Sequence, residues 1–195
     1  MLSTPNKENV RAACERFDQE FGEVEQALQE LFARYPANHD LSHVLLKVVA
    51  VNSLYSTRIP VYSEKIPNVV DVSKHIHQNA LKIDAALASG SPETIAMIAQ
   101  ISTKGKSRNN FSFATKYCSW HKPESYPIWD SNVGKCLGRL QKQSNFASDF
   151  NVNSERWTYS DFCVAMKKFR HHFDLGSFTF KEIDKFLWLY GDDLS

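Results

Sequence analysis

The sequence is poor in the features that mark metalloproteins, membrane proteins and secreted proteins. Its four cysteines are scattered and no two form a Cys-x-x-Cys pair, so a zinc or iron–sulfur site is not expected. No apolar run approaches the roughly 18–20 residues that cross a bilayer. The first residues lack the apolar segment of a signal peptide. We therefore expect a cytoplasmic protein without cofactor or metal, whose cysteines serve as small hydrophobes.

Acidic residues are missing from one stretch of an otherwise balanced chain. The net charge is only +1, which does not indicate a nucleic-acid-binding protein. Residues 101–122, however, contain no Asp or Glu, and a local positive stretch of this kind can contact phosphates. The alternative is a solvated helix face that acidic segments elsewhere balance. The basic residues of the stretch are Lys104, Lys106, Arg108, Lys116 and Lys122.

Strand-like alternation is scarce, and helical periodicity dominates. Apolar residues recur at helical spacing over 9–35, where Pro36 ends the pattern, and Asp40 can cap a second, very apolar helix. The hydrophobic content of 43% is enough for a real core in one domain. These patterns predict an all-α fold. The predicted helices cover 9–35, 41–57, 69–77, 80–88, 93–101, 108–120, a stretch after residue 130, 160–173 and 180–190.

The most informative segment is Tyr126–Leu140. Pro127 cannot lie inside a helix and favours an extended residue before it. Asp130 or Ser131 is a good N-cap for the helix that follows. The sequence therefore places a carboxylate at the start of a helix, behind a rigid proline turn. The apolar residues at helical spacing are Val133, Cys136, Leu137 and Leu140.

This segment resembles the aspartate segment of the helix-hairpin-helix DNA glycosylases, in which the aspartate is the catalytic carboxylate. The order of elements is also similar: an apolar helix ending at 50–58, a hairpin around Gly105, the aspartate loop and an aromatic C-terminal helix. The resemblance implies a two-lobed helical bundle of that type. It implies one domain over 1–195, a glycosylase-like core over 41–142 and a helix-turn-helix hairpin at 93–120, with the terminal helices completing the second lobe. The family has a Gly-x-Gly turn in the hairpin, whereas this chain has a single glycine there.

The resemblance implies that Asp130 stabilises positive charge on the sugar while the bond to a flipped base breaks. The alternative role of Asp130 is only to cap its helix, and both roles can hold at once. Some family members use a lysine nucleophile, and Lys106 is the candidate here. We favour the version that uses water.

The remaining site residues are implied by position within the same pattern. Asn52 and Ser56 lie four residues apart at a helix end, where they could instead cap their own helix. Trp188 and Tyr190 could instead be ordinary core residues. His121 could contact a phosphate or carry a charge at a helix C-terminus. The substrate-binding candidates are Asn52, Tyr55, Ser56, Trp129, Asn132, Trp188 and Tyr190. The DNA-binding candidates are Lys104, Gly105, Ser107, Arg108, His121 and Lys122.

The function that the sequence predicts is excision of a damaged or modified base from double-stranded DNA by a monomeric enzyme. The setting would be base-excision repair or anti-phage defence, where glucosylated hydroxymethylcytosine is a candidate target. Two other classes stay open. One is a non-catalytic DNA- or lesion-binding protein of the same fold, and the other is a helical protein-interaction module.

Overall fold

A computed structural model describes residues 4–103, 105–152 and 157–192 of the chain. The described residues are predominantly helical, which confirms the predicted class. No helix among them is long and apolar enough to cross a membrane. In chain order the elements are α1 (Lys7–Arg34), α2 (Leu41–Leu54), α3 (Val69–Gln78), α4 (Ala80–Ser89), α5 (Thr94–Ala99), β1 (Gln100–Thr103), β2 (Lys106–Asn109), α6 (Phe111–His121), α7 (Ser131–Ser144), α8 (Tyr159–His172) and α9 (Phe180–Asp192).

The chain divides into two compact units. The central unit contains residues 23–126, and the terminal unit contains residues up to 22 together with those from 127 onward. The division therefore falls inside α1 and again just before Pro127.

The central unit is organised around α2. Asp40 caps this helix by accepting the backbone N–H of His43 at 3.0 Å, as its sequence predicts. Val44, Val48 and Val51 are fully buried, because α2 contacts both α3 and α6. Contacts on more than one side of α2 thus account for the buried part of the apolar run, whereas Leu46 and Val49 of the same run are exposed.

The terminal unit is held by the packing of α7 against α9. The apolar residues of α7 that recur at helical spacing are all buried, which confirms the predicted helix and its inner face. Those residues are Val133, Cys136, Leu137 and Leu140. Their counterparts on α9 include Ile183, Phe186 and Leu187, which are also fully buried.

The hairpin predicted at 93–120 is wrong in its central part. The first helix ends at Ala99, and the chain then forms an antiparallel β-hairpin that pairs Gln100 with Asn109 and Thr103 with Lys106. Gly105 occupies the turn with φ +73°, a conformation that favours glycine. Residues 100–110 are rich in Ser, Thr and Asn, which favour turns and compete with helical hydrogen bonds. They also lack a helical apolar stripe.

The second correction concerns the end of α2, which stops at Leu54 rather than at Thr57. Ser56 and Arg58 both have positive φ, at +49° and +62°, which an α-helix cannot contain. The Thr57 N–H turns back to the Asn52 carbonyl at 3.1 Å. Ser56 therefore lies beyond the helix and does not share a helix face with Asn52.

Candidate functional site

Asp130 lies at the N-terminus of α7 with an extended backbone. Its Oδ1 accepts the backbone N–H groups of Asn132 and Val133, both at 3.0 Å. Asp130 rather than Ser131 is therefore the N-cap. The loop before it is also fixed, because the Tyr159 hydroxyl donates to the Pro127 carbonyl at 2.8 Å. The carboxylate is consequently held in one position by the backbone of its own helix.

The indole of Trp129 is packed into an aromatic cluster of the terminal unit. Its ring centroid lies 4.6 Å from that of Trp157 and 5.1 Å from that of Phe162. Gly134 allows the indole to lie against α7, since a Cβ at that position would be 3.1 Å from the ring. Trp129 thus supports the loop that carries Asp130.

The first turn of α7 lies directly against the last turn of α9. A Cβ on Gly191 would be 2.3 Å from the Asn132 carbonyl oxygen, so the two backbones meet with no room for a side chain. Tyr190 precedes this point and packs on Phe186, with ring centroids 4.3 Å apart. The structure therefore brings the C-terminal end of α9 against the first turn of the helix that Asp130 caps.

Trp188 lies on the same helix but packs in another direction. Its ring makes edge contacts with Phe17 and Phe21 of α1, at centroid distances of 5.9 and 5.7 Å. This is the core-packing role that the sequence left open as its alternative.

Asn52 and Tyr55 belong to the central unit and are engaged within it. The Asn52 carboxamide donates to the Ile59 carbonyl at 2.9 Å and accepts from the Thr57 hydroxyl and the Ile59 N–H. It therefore closes the turn after α2, in keeping with the alternative role at its own helix end. The Tyr55 hydroxyl accepts the indole N–H of Trp120 at 3.2 Å. Ser56 is exposed.

The predicted DNA-binding residues of the hairpin lie on β2 or in its turn, not at the start of a helix. Lys106 donates its ammonium to the Ser63 carbonyl at 3.0 Å, and Arg108 donates to the Arg58 carbonyl at 2.7 Å. Lys106, the candidate nucleophile, thus lies on a strand where the resemblance implies a helix-turn-helix. Gly105 and Ser107 are exposed, and Lys104 lies outside the described residues.

His121 has a different role from the predicted phosphate contact. Its ring packs on Phe32 and Tyr117, with centroids 4.9 and 5.0 Å away. Burial, reinforced by the nearby Lys47 ammonium, lowers the pKa of His121 to about 3. The ring is therefore neutral near pH 7 and supplies no charge to a phosphate or to the helix end. Lys122 donates to the Ala88 carbonyl at 2.5 Å, at the end of α4.

A buried polar network in the central unit was missed from the sequence. The ammonium of Lys47 is fully buried on α2 and donates to Asn38 Oδ1 at 2.9 Å and to the Tyr35 and Ala37 carbonyls at 3.0 and 3.1 Å. Asn38 in turn bonds Asp84. Burial lowers the pKa of Lys47 to about 8. The sequence signal for this network was the single lysine inside the apolar run of α2. A charged side chain in a buried segment needs hydrogen-bond partners around it.

The network also takes in α6. The Tyr117 hydroxyl donates to Asn38 Oδ1 at 2.5 Å, and His121 Nε2 lies 3.3 Å from the Lys47 ammonium. The Lys47 ammonium has three oxygen acceptors, so its hydrogen-bonding capacity is satisfied. The network therefore has a structural role and connects the end of α1 with α2 and α6.

The cysteines are free thiols. Burial raises the pKa of Cys136 to about 12 and the pKa of Cys118 well above its usual value, so these two thiols are not reactive thiolates. Within the described ranges, no group of three His, Cys, Asp or Glu side chains is placed to hold a metal ion.

Comparisons with known proteins give a family. Residues 9–125 match the model of the HI_0787_N family, described as an N-terminal domain. A Haemophilus influenzae protein described as an uncharacterized protein is 33% identical over 135 residues, which are 69% of this chain and 62% of that relative. The match therefore spans less than two thirds of the relative's length. No solved structure matches the chain. The family model covers more than half of the sequence, and the chain belongs to the HI_0787_N family.

Proposed function

We propose that the protein is a DNA N-glycosylase that excises a damaged or modified base and leaves an abasic site. The observation that carries the proposal is the position of Asp130. Its carboxylate is fixed by two backbone N–H groups behind a rigid proline turn, and the turn of α7 that follows it lies against the aromatic end of α9. A carboxylate held in one position suits a reaction that builds positive charge on a sugar.

Hydrolysis of the bond between the base and the sugar requires few protein groups besides that carboxylate. The target base must leave the stack to be reached. As the bond between C1′ and the base nitrogen lengthens, positive charge develops on the sugar and Asp130 stabilises it. Water then adds at C1′, and the base leaves with the proton. In this proposal Asp130 acts electrostatically and directs the water, and no lysine adduct forms.

The test is base release by wild-type protein and by Asp130→Asn on a panel of duplexes. The panel carries uracil, 8-oxoguanine, alkylated purines, hydroxymethylcytosine and its glucosylated forms, and alkali then reveals abasic sites. Asparagine caps a helix as well as aspartate does, so Asp130→Asn should fold normally. We expect it to lose at least about 100-fold in rate, which is typical for loss of a preorganised electrostatic group.

Asp40→Asn is the matched control, because Asp40 caps α2 by the same kind of bond. It should melt like Asp130→Asn and release base at the wild-type rate. Equal rates for the two variants, or no release from any duplex by the wild type, would overturn the proposal.

A second candidate is a DNA-binding protein without catalytic activity. The observation that favours it is the β-hairpin found where the resemblance implies a helix-hairpin-helix turn. This departure weakens the likeness to the enzymes, while the hairpin still carries two basic side chains, Lys106 and Arg108, that can contact phosphates. Salt-sensitive DNA binding together with no base release would establish it.

A further inference from the structure

Two neighbouring apolar side chains outside the site already described stand largely exposed in the loop between α2 and α3. Val61 is 78% and Tyr62 76% exposed. Neighbouring aliphatic and aromatic side chains left in water to this extent are typical of a binding surface.

The loop that carries these side chains is held firmly. At its start, Asn52 fixes Ile59, and farther along the Val69 N–H donates to the Pro60 carbonyl at 3.0 Å. The Ser63 hydroxyl accepts two backbone N–H groups of the loop, both at 3.1 Å. The two apolar side chains are therefore presented on a braced turn.

The β-hairpin supplies positive charge beside them. Lys106 and Arg108 lie two residues apart on β2 and so share a face of the strand. Both reach the loop, through the Ser63 and Arg58 carbonyls. Across described residues 58–66 and 105–109, four basic side chains stand against one acidic side chain, Glu64. Glu64 accepts the Tyr62 hydroxyl at 2.8 Å.

We propose that this Val61–Tyr62 surface, formed by Arg58, Val61, Tyr62, Lys106 and Arg108, binds duplex DNA at a step where the base stack is interrupted. Tyr62 and Val61 lie against the exposed base faces, and the basic side chains face the phosphates. The proposal extends the DNA-binding part of the proposed function and requires no base excision.

The pattern of side chains favours an interrupted duplex over a single strand. Single-strand binders present a row of aromatic platforms to successive bases. Here one aromatic and one aliphatic side chain stand together on a rigid turn, which is the form of a wedge that enters one base step. The surrounding cations match the charge of the duplex backbone.

The experiment measures binding by fluorescence anisotropy to a paired duplex and to the same duplex with one tetrahydrofuran abasic position. All proteins carry Asp130→Asn, so that no base is removed during the measurement. We expect tighter binding to the abasic duplex. Tyr62→Ala should lose about tenfold of that preference, within the range for one base–aromatic stack. Tyr62→Phe, which keeps the ring, should retain it.

Leu81→Ala is the matched control, because Leu81 is 90% exposed on α4 of the same unit. It should bind both duplexes like the parent protein. Lys65→Gln, beside the apolar pair, should reduce the slope of log affinity against log salt by about one, and Lys82→Gln should not.

The proposal fails if Tyr62→Ala keeps the preference for the abasic duplex, or if Tyr62→Ala and Leu81→Ala weaken binding equally. It also fails if Tyr62→Ala abolishes self-association without changing DNA binding, because the surface would then be a protein interface. These outcomes are separate from base release by the protein with Asp130 intact. Loss of one proposal therefore leaves the other testable.

Discussion

At the scale of single residues, His121 contributes to the acid sensitivity of the central unit. Its ring contacts Phe32 and Tyr117 and lies 3.3 Å from the Lys47 ammonium. Its pKa is lowered from 6.5 to about 3. Between pH 6.5 and about pH 3, His121 is protonated in the unfolded chain and neutral in the folded protein. Stability from this group is complete above pH 6.5 and is lost as the pH falls toward 3.

We therefore expect the free energy of unfolding to fall by about 3 kcal/mol between pH 6.5 and about pH 4 on account of His121. His121→Gln cannot titrate, so its urea-unfolding free energy should fall less over that range. The exposed His171 is the control, and His171→Gln should follow the wild-type curve. Parallel curves for wild type and His121→Gln would show that this half-buried ring does not govern acid sensitivity.

At the scale of elements, the contact between α7 and α9 helps to fix the first turn of the helix that Asp130 caps. The Asn132 backbone occupies the space that a side chain at position 191 would need, with three of its atoms within 2.8 Å of a Cβ there. Backbone cannot rotate away as a side chain can. The elements must therefore separate if that space is filled.

Gly191→Ala should lower the free energy of unfolding by about 2–3 kcal/mol, the cost of overpacking a tight contact, and should reduce base release by shifting the first turn of α7. Gly22→Ala is the matched control. Gly22 lies within helix α1 with no atom near a new Cβ, so alanine there should stabilise by up to about 1 kcal/mol. Thermal melts of both variants give the comparison. If Gly191→Ala left the free energy of unfolding unchanged, the backbones of α7 and α9 would have to lie farther apart than the structure places them.

The elements also show how far sequence patterns reach. The α7 helix was predictable because its cap and its buried stripe are local, a matter of residues 130–140. The β-hairpin was not predictable, because a short polar stretch is equally compatible with a turn or a pair of strands. The choice between them depends on tertiary contacts, such as those of Lys106 and Arg108 with Ser63 and Arg58. The role of Asn52 was likewise set by a loop whose path the sequence does not specify. The close approach of Gly191 to Asn132 joins residues far apart in the chain, so no local sequence pattern predicts it.

At the scale of the whole molecule, the near-neutral charge of +1 means that long-range attraction to DNA is weak. DNA binding as proposed must then depend on the local basic side chains of the Val61–Tyr62 surface and its neighbour Lys65. Each phosphate neutralised contributes about 0.9 to the slope of log affinity against log salt. We expect a slope of roughly −2 to −4 for duplex DNA between 50 and 200 mM salt.

Fluorescence anisotropy across that salt range measures the slope. The preference for an abasic duplex over a paired one should change little with salt, because base stacking releases no counterions while phosphate contacts do. The dependence of binding on salt therefore distinguishes the phosphate contacts of the basic side chains from the base stacking of Val61 and Tyr62. A slope near zero would mean that the whole molecule does not bind DNA through its phosphates, and would favour the helical protein-interaction module. A slope steeper than about −6 would require cationic contacts well beyond this surface.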